Sequence, residues 1–272
     1  MPDIYLQPGS GSGSGTLADP YYYSELSTAQ SNAGNGGRIL FTDGTYPTAA
    51  STWGTGGFSD LTYRSLNLHG AKIATTTVNT LRFITLDDSS TVTCQVENFE
   101  LDSIAFRGVN SSSTFTFTIS GVKRIDTGTT ATSVGIVALA YGVNHKILNS
   151  LFYLKPTGAG TKLTEYFSQS GKEINGCTFY LDVTNMGTGA SGLNGSGFTG
   201  KNNIIMSTDS TRVQDAVINS ANLTNCCIYQ MHTNDSSGGT NNIFTDPLFV
   251  DASTLDFRLR PTSPCINAGT AS

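Results

Sequence analysis

The strongest constraint on how this chain can fold is a recurrence of short strand-like segments, each entered through Asn or Asp. Leu101-Asp102-Ser103-Ile104-Ala105-Phe106 aligns with Leu148-Asn149-Ser150-Leu151-Phe152-Tyr153, Ile174-Asn175-Gly176-Cys177-Thr178-Phe179 and Lys201-Asn202-Asn203-Ile204-Ile205-Met206. The anchors step by 47, 26 and 27 residues (102 to 149, 149 to 175, 175 to 202). In Leu223-Thr224-Asn225-Cys226-Cys227-Ile228 the Asn sits one place later, and 203 to 225 is 22. The step of 47 spans two turns, with Val122-Lys123-Arg124-Ile125 midway. A period in the twenties marks repeat architectures and suits three short strands and three turns per coil. Asn and Asp tolerate the left-handed backbone of a sharp corner and hydrogen-bond locally, so these anchors read as stacked structural corners.

The two ends add a resemblance. The chain opens with Ile4-Tyr5-Leu6, a Gly/Ser run, Gly15-Thr16 with Asp19-Pro20, and Ile39-Leu40-Phe41-Thr42-Asp43-Gly44-Thr45-Tyr46-Pro47. It closes with Asp246-Pro247-Leu248-Phe249-Val250-Asp251, Leu255-Asp256-Phe257-Arg258-Leu259 and Ser263-Pro264-Cys265-Ile266-Asn267-Ala268-Gly269. Both ends resemble the right-handed parallel β-helix proteins of the pectate-lyase-like family. The resemblance implies an all-β fold, a right-handed single-stranded parallel β-helix with a short N-terminal capping helix. One domain is expected: an N-terminal strand and capping helix over 1–38, coils over 39–240 and a closing rung over 241–272. The scaffold itself carries lyases, glycosidases, epimerases, tailspikes and inert structural parts, so fold alone does not name an activity.

Leu26, Ala29 and Ala33 recur at helical spacing, with Gly34 as terminator, and predict the short helix that plugs the first coil. The five cysteines, Cys94, Cys177, Cys226, Cys227 and Cys265, lack C-x-x-C spacing and read as reduced, mostly buried thiols. Cys177 and Cys226 fall on equivalent positions with the Ile204 turn between them, about 9–10 Å apart and too far for a disulfide. No stretch approaches the length of a membrane span, and Met1-Pro2-Asp3-Ile4 does not open a signal peptide. With Lys+Arg 15 against Asp+Glu 20 and a net charge of -5, nucleic acid is not an expected partner. Only 13% of residues are charged, about half the usual share. The remaining polar positions are Ser, Thr, Asn and Gly, a surface suited to carbohydrate or to burial in an assembly.

Candidate chemistry centres on Glu97, Glu100 and Asp102. Strand periodicity puts Glu100 and Asp102 on one face, with Phe99 and Leu101 on the other. Asp126, or Asp87 and Asp88, from neighbouring turns would extend an acidic stripe that resembles the catalytic Asp clusters of polygalacturonases. The Asn-x-Asp, Asp-Asp, Gly-His-Gly and Arg-x-Lys pattern of those enzymes is absent. Lys123, Arg124, Arg107 and Lys146 lie on nearby turns and would supply the base and clamp of a uronate lyase. If the chain is an enzyme, its residues are Glu97, Glu100, Asp102, Lys123 and Arg124. Otherwise the acids form a solvated face and the cations cover apolar surface with their stems. His69, His145 and His232 are too scattered for a metal site, so neither metal nor cofactor is expected. Tyr21, Tyr22, Tyr23 and Trp53 are candidate carbohydrate or subunit contacts, the tyrosines alternatively sealing the first coil. Protruding loops are expected at Thr48 to Gly57 and at Met186 to Gly192.

Three readings are open: a phage virion-surface structural or decoration protein, a glycan-binding spike, and a polysaccharide-degrading enzyme, either lyase or glycoside hydrolase. The first is favoured by the missing signal peptide, the low charge and the incomplete active-site pattern. The family-like opening already starts at Ile4, which leaves no room for a separate anchor. The expected partners are further copies of the chain, as a trimer by resemblance to the spikes, together with major capsid or tail proteins and host polysaccharide. The expected location is the virion surface after assembly in the host cytoplasm.

Overall fold

The computed structural model describes residues 3–48, 52–53, 60–75, 82–85, 91–101, 104–108, 114–126, 136–139, 143–155, 162–165, 172–185, 190–194, 198–218, 222–231 and 239–270. The chain forms an all-β parallel solenoid with the short helix Leu26–Ala33 near its N-terminus. Its packing divides into two compact units, Met1–Arg124 with Val137–Ser150, and Ile125–Ile136 with Leu151–Ser272.

In the first unit every described strand pairing is parallel. The first sheet runs through Asp3–Gln7, Gly37–Phe41, Asp60–Ser65, Thr91–Glu97, Thr114–Ser120 and Val143–Leu148. The second holds Gly44–Thr48, Ala71–Thr75 and Glu100–Leu101, followed by Lys123 and Arg124. The third holds Thr52–Trp53, Arg82–Thr85 and Ile104–Gly108. Alternation along Asp60–Ser65 buries Leu61, Tyr63 and Ser65 and leaves Asp60, Thr62 and Arg64 half-buried, as a strand with one face inward requires. The interior is aromatic near the N-terminal end, where the Phe41 ring meets Tyr46 and Phe99 edge-on at 5.0 Å each. The helix turns Ala29, Gln30 and Ala33 inward. Gln30 Nε2 donates to the Tyr63 hydroxyl at 2.7 Å, so the buried face includes Gln30 where the sequence suggested Leu26.

The second unit repeats the arrangement. Lys172–Asn175, Phe198–Lys201 and Asn222–Thr224 form one parallel sheet. Leu151–Leu154, Thr178–Leu181, Ile204–Ser207 and Cys227–Tyr229 form another. Lys162–Glu165, Ala190–Asn194 and Val213–Ile218 form the third. Residues 190–192, expected in a loop, are therefore strand, as are Thr52 and Trp53. Met186 to Gly189 and Gly54 to Gly57 lie outside the described residues. Inward, Phe152, Phe179, Ile205 and Ile228 stand in register, with the two Phe rings stacked at 5.0 Å and 11°.

The corner between the first and second sheets carries the repeat. Asn98, Gly121 and Asn149 in the first unit, and Gly176, Asn202, Asn225 and Asn241 in the second, all have φ between 49° and 67°. Within each unit the corner amide donates to the carbonyl just before the next corner, as in Asn98 to Ser120 at 2.9 Å, Gly121 to Leu148 at 3.1 Å and Gly176 to Lys201 at 3.0 Å. The anchors read from the sequence are thus right at Asn149, Asn202 and Asn225 and displaced by one residue at Asn175. Asn98 is a corner of the first unit that the sequence reading did not name, Asp102 lies outside the described residues, and Gly176 turns the chain instead of Asn175. A glycine there meets no Cβ penalty at positive φ, while Asn175 Oδ1 accepts from the Lys201 amide at 3.0 Å.

The residue after the corner points inward, apolar at Phe99 and Val122 and polar at Ser150 and Asn203. Asn203, 1% exposed, accepts at Oδ1 from the Cys177 amide (2.9 Å) and donates from Nδ2 to the Ile174 carbonyl (2.7 Å). Asn242 does the same for Cys226 (2.9 Å) and Leu223 (2.9 Å). The coil pattern therefore continues to Asn241-Asn242-Ile243, where Ile243 bridges Cys227 in parallel.

Past Ile243 the chain folds into an antiparallel hairpin, Phe249–Asp251 with Asp256–Leu259. It covers the outward row Tyr153, Tyr180 and Met206 of the second unit, bringing the Phe257 ring to 6.0 Å from Tyr153 and 5.2 Å from Tyr180. Beyond it, the Thr270 amide and carbonyl bond the Asn202 side chain at 3.0 and 2.8 Å. The C-terminal segment thus acts as a lateral strap along the coils.

All five cysteines are free thiols, four buried and Cys265 partly exposed. Burial pushes the Cys94 and Cys226 thiols up. Thiol titration of the native protein is expected to label Cys265 first and the other four only on unfolding. Asn203→Ala removes the side-chain partner of the buried Cys177 amide and of the Ile174 carbonyl. At about 1–3 kcal/mol for each such group the expected loss is about 2–6 kcal/mol, read from urea denaturation midpoints.

Candidate functional site

The corner at Asn98 decides the geometry of the acidic stripe. Glu97 ends a strand of the first sheet and Glu100 begins one of the second, so the sharp turn separates two residues only three apart. Phe99 and Leu101 point inward and are fully buried, which turns Glu97 and Glu100 outward. Asp102 lies outside the described residues, as do Asp87, Asp88 and His232. For Asp126, Arg107 and His145 the strands are described and the side chains are not.

Both described acids are already paired. Parallel register places Glu100 between Lys72 on the preceding coil and Lys123 on the following one, with Nζ to carboxylate distances of 3.1 and 3.4 Å. Glu97 faces Arg64 at 3.7 Å. Partial burial would raise the Glu100 carboxyl. The Lys72 hydrogen bond and the Lys123 ammonium together outweigh that burial and hold it below the usual carboxylate value. His69, whose Nε2 lies 2.9 Å from the Gly121 carbonyl, stands close by. Its imidazole is lowered by burial first and then by Lys123.

Lys123 and Arg124, expected side by side on a lyase-like surface, separate by strand alternation. Lys123 reaches outward to Glu100, whereas Arg124 is 1% exposed and points into the coil. Among the described residues no three of His, Cys, Asp and Glu are grouped to hold a metal ion. The arrangement is a ladder of cations and carboxylates linking coils, and each described carboxylate of the stripe has a cation partner. A general acid needs a raised carboxyl, and a general base needs room for a substrate proton within hydrogen-bond reach. Glu100 has neither.

The aromatic candidates resolve differently. Tyr21 is buried, and its hydroxyl accepts from Asn32 Nδ2 at 2.6 Å. Tyr22 lies over Gly11, where a Cβ would stand 2.5 Å from its ring. Tyr23 meets Tyr46 edge-on at 5.6 Å. The Gly/Ser run is therefore a close-packed bed for the tyrosines, tied down by Glu25 Oε2, which accepts from the Gly13 and Tyr22 amides at 3.0 Å each. They seal the first coil. Trp53 pairs with Phe83 in the third sheet, and its side chain lies outside the described residues.

A second polar knot, which sequence reasoning did not single out, surrounds Asp182 in the second unit. Its carboxylate accepts from Lys155 (2.9 Å), the Tyr153 hydroxyl (3.2 Å) and the Thr184 hydroxyl (2.6 Å). Burial acts to raise the Asp182 carboxyl, and the Thr184 and Lys155 bonds outweigh it and lower it.

No family profile matches the chain, and no curated protein matches it. Among solved structures it is similar to pectate lyase Pel9A, with 13% identity, 99% of this chain and 92% of the other covered, and a TM-score of 0.37. It is also similar to a pectin methylesterase mutant in complex with a hexasaccharide, with 10% identity, 85% and 80% covered, and a TM-score of 0.40. The solenoid assignment rests on the chain's own strand pairing.

Because the Glu100 carboxyl is lowered on folding, its pairing stabilises the protein above the unfolded carboxyl value and is lost as pH falls through the folded one. Glu100→Gln is expected to cost under about 1 kcal/mol at neutral pH. It should also flatten the acid limb of the stability curve, as measured by thermal melts from neutral pH downward.

Proposed function

We propose that the chain is a non-enzymatic structural β-solenoid of a phage particle surface, a capsid-decoration or tail component that presents a neutral polar face outward. The observation that carries this reading is the state of Glu100. The carboxylate best placed for catalysis is held ionised between two lysines of adjacent coils, where it fixes register. Composition supports the same reading, since a surface with 13% charged residues can be buried against other subunits at low desolvation cost. Closed symmetric association is the usual form of such assembly, and a trimer attached to capsid or tail proteins is the form proposed.

The test has two arms. Mass spectrometry of purified particles should find the chain at a fixed copy number, and light scattering should give about three times 28.7 kDa, free or on the particle. Incubation with polygalacturonate and other uronate polymers should release neither unsaturated products nor new reducing ends. Product formation abolished by Glu100→Gln would replace this reading with that of a polysaccharide-degrading enzyme.

A further inference from the structure

The strap of the second unit does not lie flat on the coils along its whole length. Between its hairpin and the outward row is a cleft of about 450 Å³, with Tyr180 and Met206 on the coil side and Asp246, Phe249, Asp251 and Arg260 on the strap side. That volume falls within the roughly 300–1,000 Å³ of small-molecule sites. The strap is fixed around it. Arg260 donates from its backbone amide to the Leu248 carbonyl and from Nη2 to the Val250 carbonyl, both at 2.9 Å. The Ser263 hydroxyl donates to the Pro247 carbonyl at 2.5 Å.

Its polar groups keep spare hydrogen-bonding capacity. Tyr153, one coil away, donates its hydroxyl to Asp182, whereas the stacked and half-buried Tyr180 has no hydroxyl partner among the described residues. Asp246 uses one carboxylate oxygen, Oδ1, for the Leu248 amide at 2.8 Å. Arg260 forms no ion pair among the described residues. The walls therefore combine aromatic and thioether surface with a phenol, two carboxylates and a guanidinium.

We infer that this cleft is a binding site for uncharged sugar residues, about two pyranose units of a neutral glycan. Sugars offer apolar ring faces to aromatic walls and hydroxyls to convergent polar groups, and carboxylate acceptors form the stronger, charge-assisted bonds. Two carboxylates against one guanidinium leave the rim negative, which disfavours a uronate and admits a neutral sugar. The biological role rests on the non-catalytic reading above, whereas the binding chemistry rests on the cleft alone.

The test is calorimetric titration of the full chain with maltose, cellobiose and N-acetyllactosamine, with trigalacturonate as the charged control. At least one neutral disaccharide is expected to bind more tightly than trigalacturonate. Tyr180→Phe, which keeps the ring and removes the hydroxyl, should weaken it about fivefold, and Asp246→Asn about tenfold. Circular dichroism melts would establish that both variants are folded. The inference is overturned if no neutral disaccharide binds at millimolar concentration, if trigalacturonate binds more tightly, or if both variants bind like the parent. Cleavage of a bound disaccharide would instead count against the non-catalytic reading and leave the cleft's ligand class standing.

Discussion

The fold depends on how one corner satisfies its backbone. A solenoid must turn sharply while keeping every buried amide and carbonyl paired, since an unmet group costs about as much as several good contacts gain. Here a left-handed residue turns the chain and donates to the next coil. Where Asn203 and Asn242 follow the corner, an amide side chain closes the amide and carbonyl of the coil before. Serine fills part of this role in the first unit, where Ser150 Oγ accepts from the Val122 amide of the coil before at 3.1 Å and donates to the Leu148 carbonyl of its own coil at 2.8 Å. Register, the inward aromatic rows and the outward ion pairs all depend on that fixed point.

Much of this was legible in the sequence because corner chemistry is local. Asn149, Asn202 and Asn225 could be read directly, as only Asn, Asp and Gly enter the left-handed region readily. Asn98 was missed because the Leu-x-Ser match shared with Asn149 drew the alignment to Asp102, four residues on and outside the described residues. The last corner was overlooked, although Asn202-Asn203-Ile204 recurs letter for letter as Asn241-Asn242-Ile243. The strap was not legible at all. Its hairpin covers an outward row, and nothing in strand periodicity distinguishes an outward tyrosine that meets water from one that meets another segment.

The acidic stripe shows the same limit in chemical terms. Sequence placed Glu97, Glu100, Lys123 and Arg124 near one another, and structure keeps that proximity while changing its meaning. Alternation sends Arg124 inward, and the Asn98 corner sends Glu97 and Glu100 to different sheets. The pairings that remain cross coils, where opposite charges in register discourage slippage. A cluster that looks catalytic along the chain is, across the coils, a set of register pins.

The spacing of corners carries one more consequence. Successive corners lie 23 and 28 residues apart in the first unit (98, 121, 149), and 26, 23 and 16 apart in the second (176, 202, 225, 241). The corner amide finds its carbonyl in every one of the five steps. The length of a coil therefore changes by up to a dozen residues while the same corner bond is kept. Such a scaffold can lengthen or shorten the segments that join its three ladders, coil by coil, so surface diversity accumulates in those connections rather than in the strands themselves.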